Sequence, residues 1–389
     1  MTIKALYPNV RPTLNLDFAR TKALDPRVTF SRASTGTFVG SNGLIQTAAS
    51  GAARFDHNPA TGESLGLLVE EARTNQALYS EQFDNAYWGG AIFSRTPNAA
   101  VAPDGTFTAD KLTPNNGVSS NNFTIARIFT GLSGSTTGSF YVKSAGHRYA
   151  RISSYLLDLL STANGQYSIY IGNGWHRIHH EFTTSSFDFG LNITALTPGQ
   201  VYTGNGVDGI YIWGAQLEAG AFPTSYIPTV ASAVTRAADV ASITGASFSS
   251  WYRQDEGTFL GKGRQTYTTP NQFETLITVG GYPNRTWAWS IIGSINIWNV
   301  GTDGLDTGQF YTGLTPNVPF SFNVAQAQEN NQSVAVADGV IKASATPSQT
   351  LYTNAASLSI GVNYDGHIAR LTYYPVRLPD AQLQALTAT

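Results

Sequence analysis

Apolar and polar residues alternate with a period of two along most of the chain. The runs are short, as in "TLNLDFA", "RVTFSRAS", "GSFYVKS", "GQYSIYIGN", "GWHRIHHEFTT", "QSVAVADGVIKA" and "HIARLTYYPVRL", and Gly, Pro, Asn or Asp interrupts each one. Successive strand residues point to opposite faces, so this pattern predicts half-buried strands. A turn signal every ~8–15 residues predicts antiparallel sandwiches. One segment breaks the period. In "LPDAQLQALTA", Pro379 and Asp380 stand near a helix start, and Leu383 and Leu386 lie three apart on one face. The expected fold is all-β: tandem antiparallel β-sandwiches of jelly-roll type, a β-rich N-terminal segment and a short C-terminal helix.

The pattern also divides the chain. "AFPTSYIPTVASAV" reads as a linker, because Pro223 and Pro228 remove backbone donors and stiffen it. Phe222 and Tyr226 are expected to pack on flanking surfaces of a short hinge. Three pieces follow: 1–75 as an anchoring or capping segment, 76–228 as one sandwich and 229–389 as another. The run before the linker sets Ile210, Ile212 and Ala215 against Tyr211 and Trp213, as a closing strand does. Glu218 ends that run with no partner carboxylate in view, so it is not a catalytic candidate. Two short echoes, "FSRAST" at Arg32 and "VTRAAD" at Arg236, each precede a new β segment.

Composition supports this reading and narrows the function. Only 12% of the 389 residues are charged and 12% are aromatic, a balance suited to a turn-rich β protein. The net charge of −2 is spread evenly, with no basic patch for nucleic acid or an anionic membrane. There is no Cys, and Met1 is the single methionine. Disulfides and thiolate metal sites are therefore excluded. No apolar h-region opens the chain and no run approaches a membrane span, so cytoplasmic synthesis is expected.

Candidate chemistry is sparse. His176 and His180 fall on one side of the "WHRIHH" strand and His179 on the other. Two imidazoles four residues apart on a strand are ~13 Å apart, too far to share an ion, so a half-exposed polar strand is expected. Glu70 and Glu71 point to opposite faces and cannot flank one bond. "GTFLGKG" is too short for a phosphate loop and reads as a turn. Asp303 and Asp306 in "GTDGLDTG", and Asp208, have oxygen donors suited to calcium, the single cofactor considered. Trp287 and Trp289 share a face and are expected inside. Tyr87, Trp88, Trp251 and Tyr252 stand beside turn-like polar sequence and are the candidates for stacking on sugar faces.

Three stretches resemble tailed-phage virion proteins. "LDFARTKALDPRVTFSRASTGTFV" with "RFDHNPATGESLGLLVEEARTNQALYSEQFDNAYW" is similar to the N-terminal signature of head-spike, fibre and tail-associated proteins. "APDGTFTADKLTPN" through "SFYVKS", "GWHRIHHEFTT" and "YIWGAQLEAGAFPTSYIPT" resembles their carbohydrate-binding-module-like jelly roll. "GHIARLTYYPVRLPDAQLQALTA" resembles the closing strand and helix of a concanavalin A-like (laminin G-like) jelly roll. The family's "GW-x-R" falls on Trp175 and Arg177, read here as structural. The resemblance implies a non-enzymatic virion protein, made in host cytoplasm and displaying glycan-binding sandwiches toward host-surface polysaccharide. Its partners would be other virion proteins and further copies of itself, a trimer by family expectation. Two alternatives stay open: a purely structural decoration protein, and a capsule-degrading glycosidase with paired carboxylates.

Overall fold

The period-two alternation is realised as two β-sandwiches, seen in a computed structural model that describes residues 7–388 apart from 196, 198, 266–273, 281–284, 292–294, 300–305, 312–319, 330–331 and 346–354. For the strands Arg285–Ile291, Ile295–Asn299 and Asp306–Tyr311 it describes the backbone, and among side chains only that of Trp289. The protein is all-β, with a C-terminal helix at Asp380–Thr387.

The first sandwich lies within the middle of the chain. A sheet of six strands has Thr136–Ala145, Trp175–Phe182 and Gly209–Ala219 at its centre. It faces a sheet of four that includes Phe123–Thr130 and Ser186–Ile193. Their inner faces enclose Phe140, Val142, Phe189, Leu191, Ile210 and Ile212. Each such side chain contributes about 1.5–3 kcal/mol through burial.

The second sandwich is assembled from both ends of the chain. Its first sheet runs through Phe320–Glu329, Glu256–Gln265, Gly366–Tyr374, Ser64–Val69 and Arg54–His57, with Leu14–Leu16 also paired to Gly366–Tyr374. Its second sheet joins Thr29–Ser31 to Val240–Thr244 and continues through Ser357–Val362 and Glu274–Gly280. Leu14, Leu16, Phe18, Leu67 and Val69 share one core with Phe259, Ile277, Trp289, Leu371 and Tyr373. The N-terminal stretch, expected as a separate anchoring or capping segment, therefore contributes strands to the C-terminal sandwich. An apolar strand face is buried wherever a sheet offers an edge, and sequence proximity does not decide which edge.

"GTFLGKG" is not a turn. It forms the centre of the ten-residue strand Glu256–Gln265. Its glycines make room for rings. A Cβ on Gly257 would lie 2.3 Å from the Tyr373 hydroxyl, and one on Gly261 2.4 Å from the Trp289 ring. Trp289 is inward as expected and donates to Gln326 at 2.7 Å. The C-terminal helix caps the outer face of the same sheet. Leu383 is fully buried there with Ala325, Ala327, Tyr374 and Leu378.

Candidate functional site

Trp88, Trp251 and Tyr252 are core residues and Tyr87 is half-buried, which corrects the expectation that Trp88 and Trp251 are exposed. Trp88 is 1% exposed, lies against Phe83 and Phe140, and donates to the Tyr79 carbonyl at 3.1 Å. Tyr87 is half-buried edge-on to Trp88, beneath the Arg127 guanidinium. Trp251 and Tyr252 pack with Phe248 and Tyr373 in the second sandwich. Short polar turns mark sandwich ends in sequence, but here the adjoining aromatic rings close those ends.

Of the three metal candidates, Asp208 alone has a described side chain. Asp208 is exposed and accepts from Asn205 of its own turn at 2.7 Å. Asp306 begins a strand, its side chain is outside the described residues, and Asp303 is outside them altogether. Among the described residues no group of three or more His, Cys, Asp or Glu could hold an ion.

The "WHRIHH" strand also differs from expectation. His176 and His179 are buried, not half-exposed. Burial, reinforced by the Arg177 charge, pushes His179 down to about 3, so it is neutral at ordinary pH.

The linker is not a free hinge. Residues 221–229 lie against the outer face of the six-stranded sheet, with Phe222, Thr224, Tyr226 and Ile227 buried. Glu218 fixes this contact by accepting from the Thr224 amide at 2.9 Å and from its hydroxyl at 2.5 Å. Gln216 donates to Glu218 at 2.6 Å and accepts from the Ile227 amide at 2.7 Å. Asn75 uses its whole amide: it donates to the Ala215 and Ile227 carbonyls and accepts from the Ala77 and Leu217 amides.

Behind the linker the two echoed arginines meet. Arg32 pairs with Asp239 at 3.0 Å, Arg54 pairs with Glu70 at 2.7 Å and also with Asp239, and Arg236 lies 3.5 Å from Glu70. Burial favours protonation of Glu70, but Arg236, Arg54 and Ser225 outweigh it and hold the carboxyl far below its ordinary range. Glu71 pairs with Arg73. The "EE" step thus joins separate pieces of the fold.

Where this inlay ends, a cleft opens between the first sandwich, the hairpin Gly36–Val39/Ile45–Ala48 and one end of the second sandwich. One lobe, about 250 Å³, is lined by Ile45, Val101, Tyr141, Lys143, Asn173 and Trp175. A second, about 170 Å³, adds Asp56, His57, Arg177, Arg264 and His367. Val39, Ile45, Pro59, Tyr141 and Ile171 line both, so the lobes adjoin. The Arg177 guanidinium lies 5.3 Å from the Tyr141 ring centre and donates to the Thr224 carbonyl and the Ser139 hydroxyl. The Trp175 indole donates to the Val101 carbonyl at 3.3 Å. Asp56 accepts from His367 at 2.7 Å and from the Val39 amide. An apolar, aromatic-edged floor with polar groups at its rim can seat a sugar ring.

Sequence reasoning placed Trp175 and Arg177 on a structural strand and did not anticipate that this strand's outer face borders a cleft. The alternation in "GWHRIHHEF" could have indicated the shared face, but the covering hairpin comes from residues more than 100 positions away. A separate depression of about 350 Å³ gathers Glu81, Asp84 and Asp110. Burial raises Glu81 and Asp110 above the ordinary carboxyl range.

No family model and no curated protein matches the chain. Among solved structures it is similar to the CBM40 of Ruminococcus gnavus IT-sialidase bound to alpha2,6 sialyllactose. The two are 22% identical over 35% of this chain and 84% of that one, with a TM-score of 0.29. It is also similar to Trypanosoma rangeli sialidase in complex with the inhibitor DANA, at 14% identity, 39% and 26% coverage and a TM-score of 0.29. The chain thus spans about a quarter of the latter's length. With TM-scores below 0.5, neither likeness bears on what the cleft binds.

Proposed function

We propose that this is a non-enzymatic glycan-binding protein of a phage virion, a head spike, fibre or tail adhesin, which attaches through the cleft at the junction of its two sandwiches. The observation that carries the binding reading is the two-lobed cleft itself, with its apolar floor beside Tyr141 and Trp175 and its polar rim. The phage setting is supported by the sequence resemblance of the N-terminal and first-sandwich stretches. Individually weak sugar contacts would gain through many copies on one particle.

The carboxylates at the cleft support a binding role over hydrolysis. A glycosidase needs one carboxyl that holds a proton and a second that is free to act. Glu70 is held charged by Arg54 and Arg236, and Asp56 is occupied by His367 and the Val39 amide. The observation favouring a hydrolase is the depression with Glu81 and Asp110. There Asp110 already accepts from the Phe83 and Asn98 amides with its two oxygens, which suits a structural staple.

Val101 is 53% exposed at the cleft mouth, so Val101→Trp obstructs the site without disturbing a core. Binding of the intact protein to a host-surface glycan array, lost in Val101→Trp with an unchanged melting curve, is the expected result. A protein that binds no glycan and no host cell would eliminate the reading. Release of new reducing ends from capsule, abolished by Glu81→Gln, would establish the hydrolase instead.

A further inference from the structure

We propose that the cleft continues outward onto an aromatic platform, Phe107 beside Val101, on which a third ring of an oligosaccharide stacks through an uncharged, apolar face. This rests on the glycan-binding reading of the cleft. It adds a minimum chain length, a chemical class for the outermost sugar and the residue that holds it.

A tight turn builds the platform. The Ala102 amide donates to the Thr106 carbonyl at 2.8 Å, and the Gly105 amide donates to the Ala102 carbonyl at 3.0 Å. Val101 and Phe107 flank this closure and stand side by side at its base. Both are open to water, Val101 at 53% and Phe107 at 62%. The turn is fixed against the cleft wall. The Ile45 amide donates to the Pro103 carbonyl at 3.0 Å, and a Cβ on Gly105 would lie 2.9 Å from the Leu44 side chain. Asp104 accepts from the Thr106 amide at 2.9 Å and from its hydroxyl at 2.7 Å. One arm of the turn, Val101 to Pro103, lines the first lobe together with Leu44 and Ile45. Val101 does not line the second lobe, so the order is second lobe, first lobe, platform. The lobes, about 170 and 250 Å³, are each of single-ring size.

Single exposed apolar side chains are common and need no ligand. Phe107 differs in its ring, its place and its support. Among the described residues, Phe107 and Tyr7 are the two exposed side chains of the Phe, Tyr and Trp class. Tyr7 lies by the C-terminal helix, where its carbonyl accepts from Gln382. Phe107 instead extends the apolar floor of the cleft past Val101. Its turn is already fixed, so little order is lost when a sugar settles there. The chemistry of the site selects the sugar. Phe has no polar tip, so it meets ring C–H groups or a methyl rather than hydroxyls. Beyond Phe107 the same loop carries Thr108 and Asp110 into the depression that gathers Glu81 and Asp84. With Asp104 on the other side, an acidic sugar on the platform would meet like charge, which costs affinity.

The test uses the full chain on an array of host-surface oligosaccharides, neutral and acidic, graded from monosaccharides to hexasaccharides. Affinity should step up about three- to tenfold between disaccharides and trisaccharides. Phe107→Ala should remove that step, and Phe107→Trp should restore it. The emission of Phe107→Trp, as the difference from wild type, should move to shorter wavelength when trisaccharides bind. Ile128→Ala, which trims an exposed apolar side chain on the four-stranded sheet, should keep the step. A step that survives Phe107→Ala, or no step at all, overturns the platform. If Val101→Trp still abolishes disaccharide binding in that case, the cleft reading stands alone. A step lost in Phe107→Ala with disaccharides indifferent to Val101→Trp overturns the cleft as the inner site and leaves Phe107 as a sugar platform. A step confined to acidic fragments overturns the uncharged class. Absence of binding by every fragment rejects the cleft and the platform together.

Discussion

The outer faces of the two large sheets have opposite fates. That of the first sandwich is covered by the chain's own linker and by the N-terminal hairpin. There Glu218 is matched to Thr224 and Gln216 to Ile227, and behind the linker Arg54 of the second sandwich is matched to Glu70 and Asp239. That of the second sandwich is covered at one end by the helix Asp380–Thr387, and beside it Lys262 and Arg370 line a shallow depression. A covered sheet face must satisfy its polar groups internally, since a buried charge without a partner is costly. An open face escapes that requirement, because water solvates the charges it carries.

The comparison breaks most severely at the buried ion cluster. Asp239→Ala leaves Arg32 and Arg54 without their shared partner, and is expected to cost about 3–5 kcal/mol. Urea titration of the variant checks this, and a loss below about 1 kcal/mol would mean the cluster is solvated. Next is the helix on the other sheet. Leu383→Ala should cost about 2–4 kcal/mol through the cavity it leaves. Limited proteolysis should then cut the chain first near residue 380.

Acid should distinguish the sandwiches less strongly. His179 has a folded pKa of about 3, below the ordinary 6.5 of an unfolded histidine. Between those values the unfolded state binds more protons, so stability falls as pH drops through that window, by about 2 kcal/mol at pH 5. His179→Leu should flatten the pH dependence of the first sandwich's melting temperature between pH 7 and 5. Glu70 acts lower: its contribution is present above the ordinary carboxyl range and is lost only as pH falls through its depressed value. Arg370→Gln should be the mildest, changing stability by less than about 0.5 kcal/mol. A large loss of stability in that variant would show that its bonds to Asn15 and Thr372 hold the sheet together.

Much of the architecture was legible from local pattern. Alternation in "GIYIWGAQLEA" and "HIARLTYY" gave strands, and Leu383 with Leu386 gave the terminal helix, because each signal is contained within one element. The pairing of Leu14–Leu16 with Leu371–Tyr373 was not legible, since either edge of a sheet would have buried those leucines equally well. Trp88 and Trp251 were misjudged for a related reason: polar neighbours report where the backbone turns, not which way an indole points. The cleft was hidden because its walls come from Val39, Trp175 and His367, three positions that no window of sequence holds together.

The strand Leu14–Leu16 also sets an order of events during synthesis. Asn15 hydrogen-bonds to Thr372 across 357 residues. The first sandwich has all its strands as soon as residue 219 leaves the ribosome. The apolar strands ahead of it must wait for residues 366–374 before their own sheet exists, and such long-range closure is slow. Until then Leu14, Leu16, Leu67 and Val69 are exposed apolar edges, open to the same strands of neighbouring nascent chains.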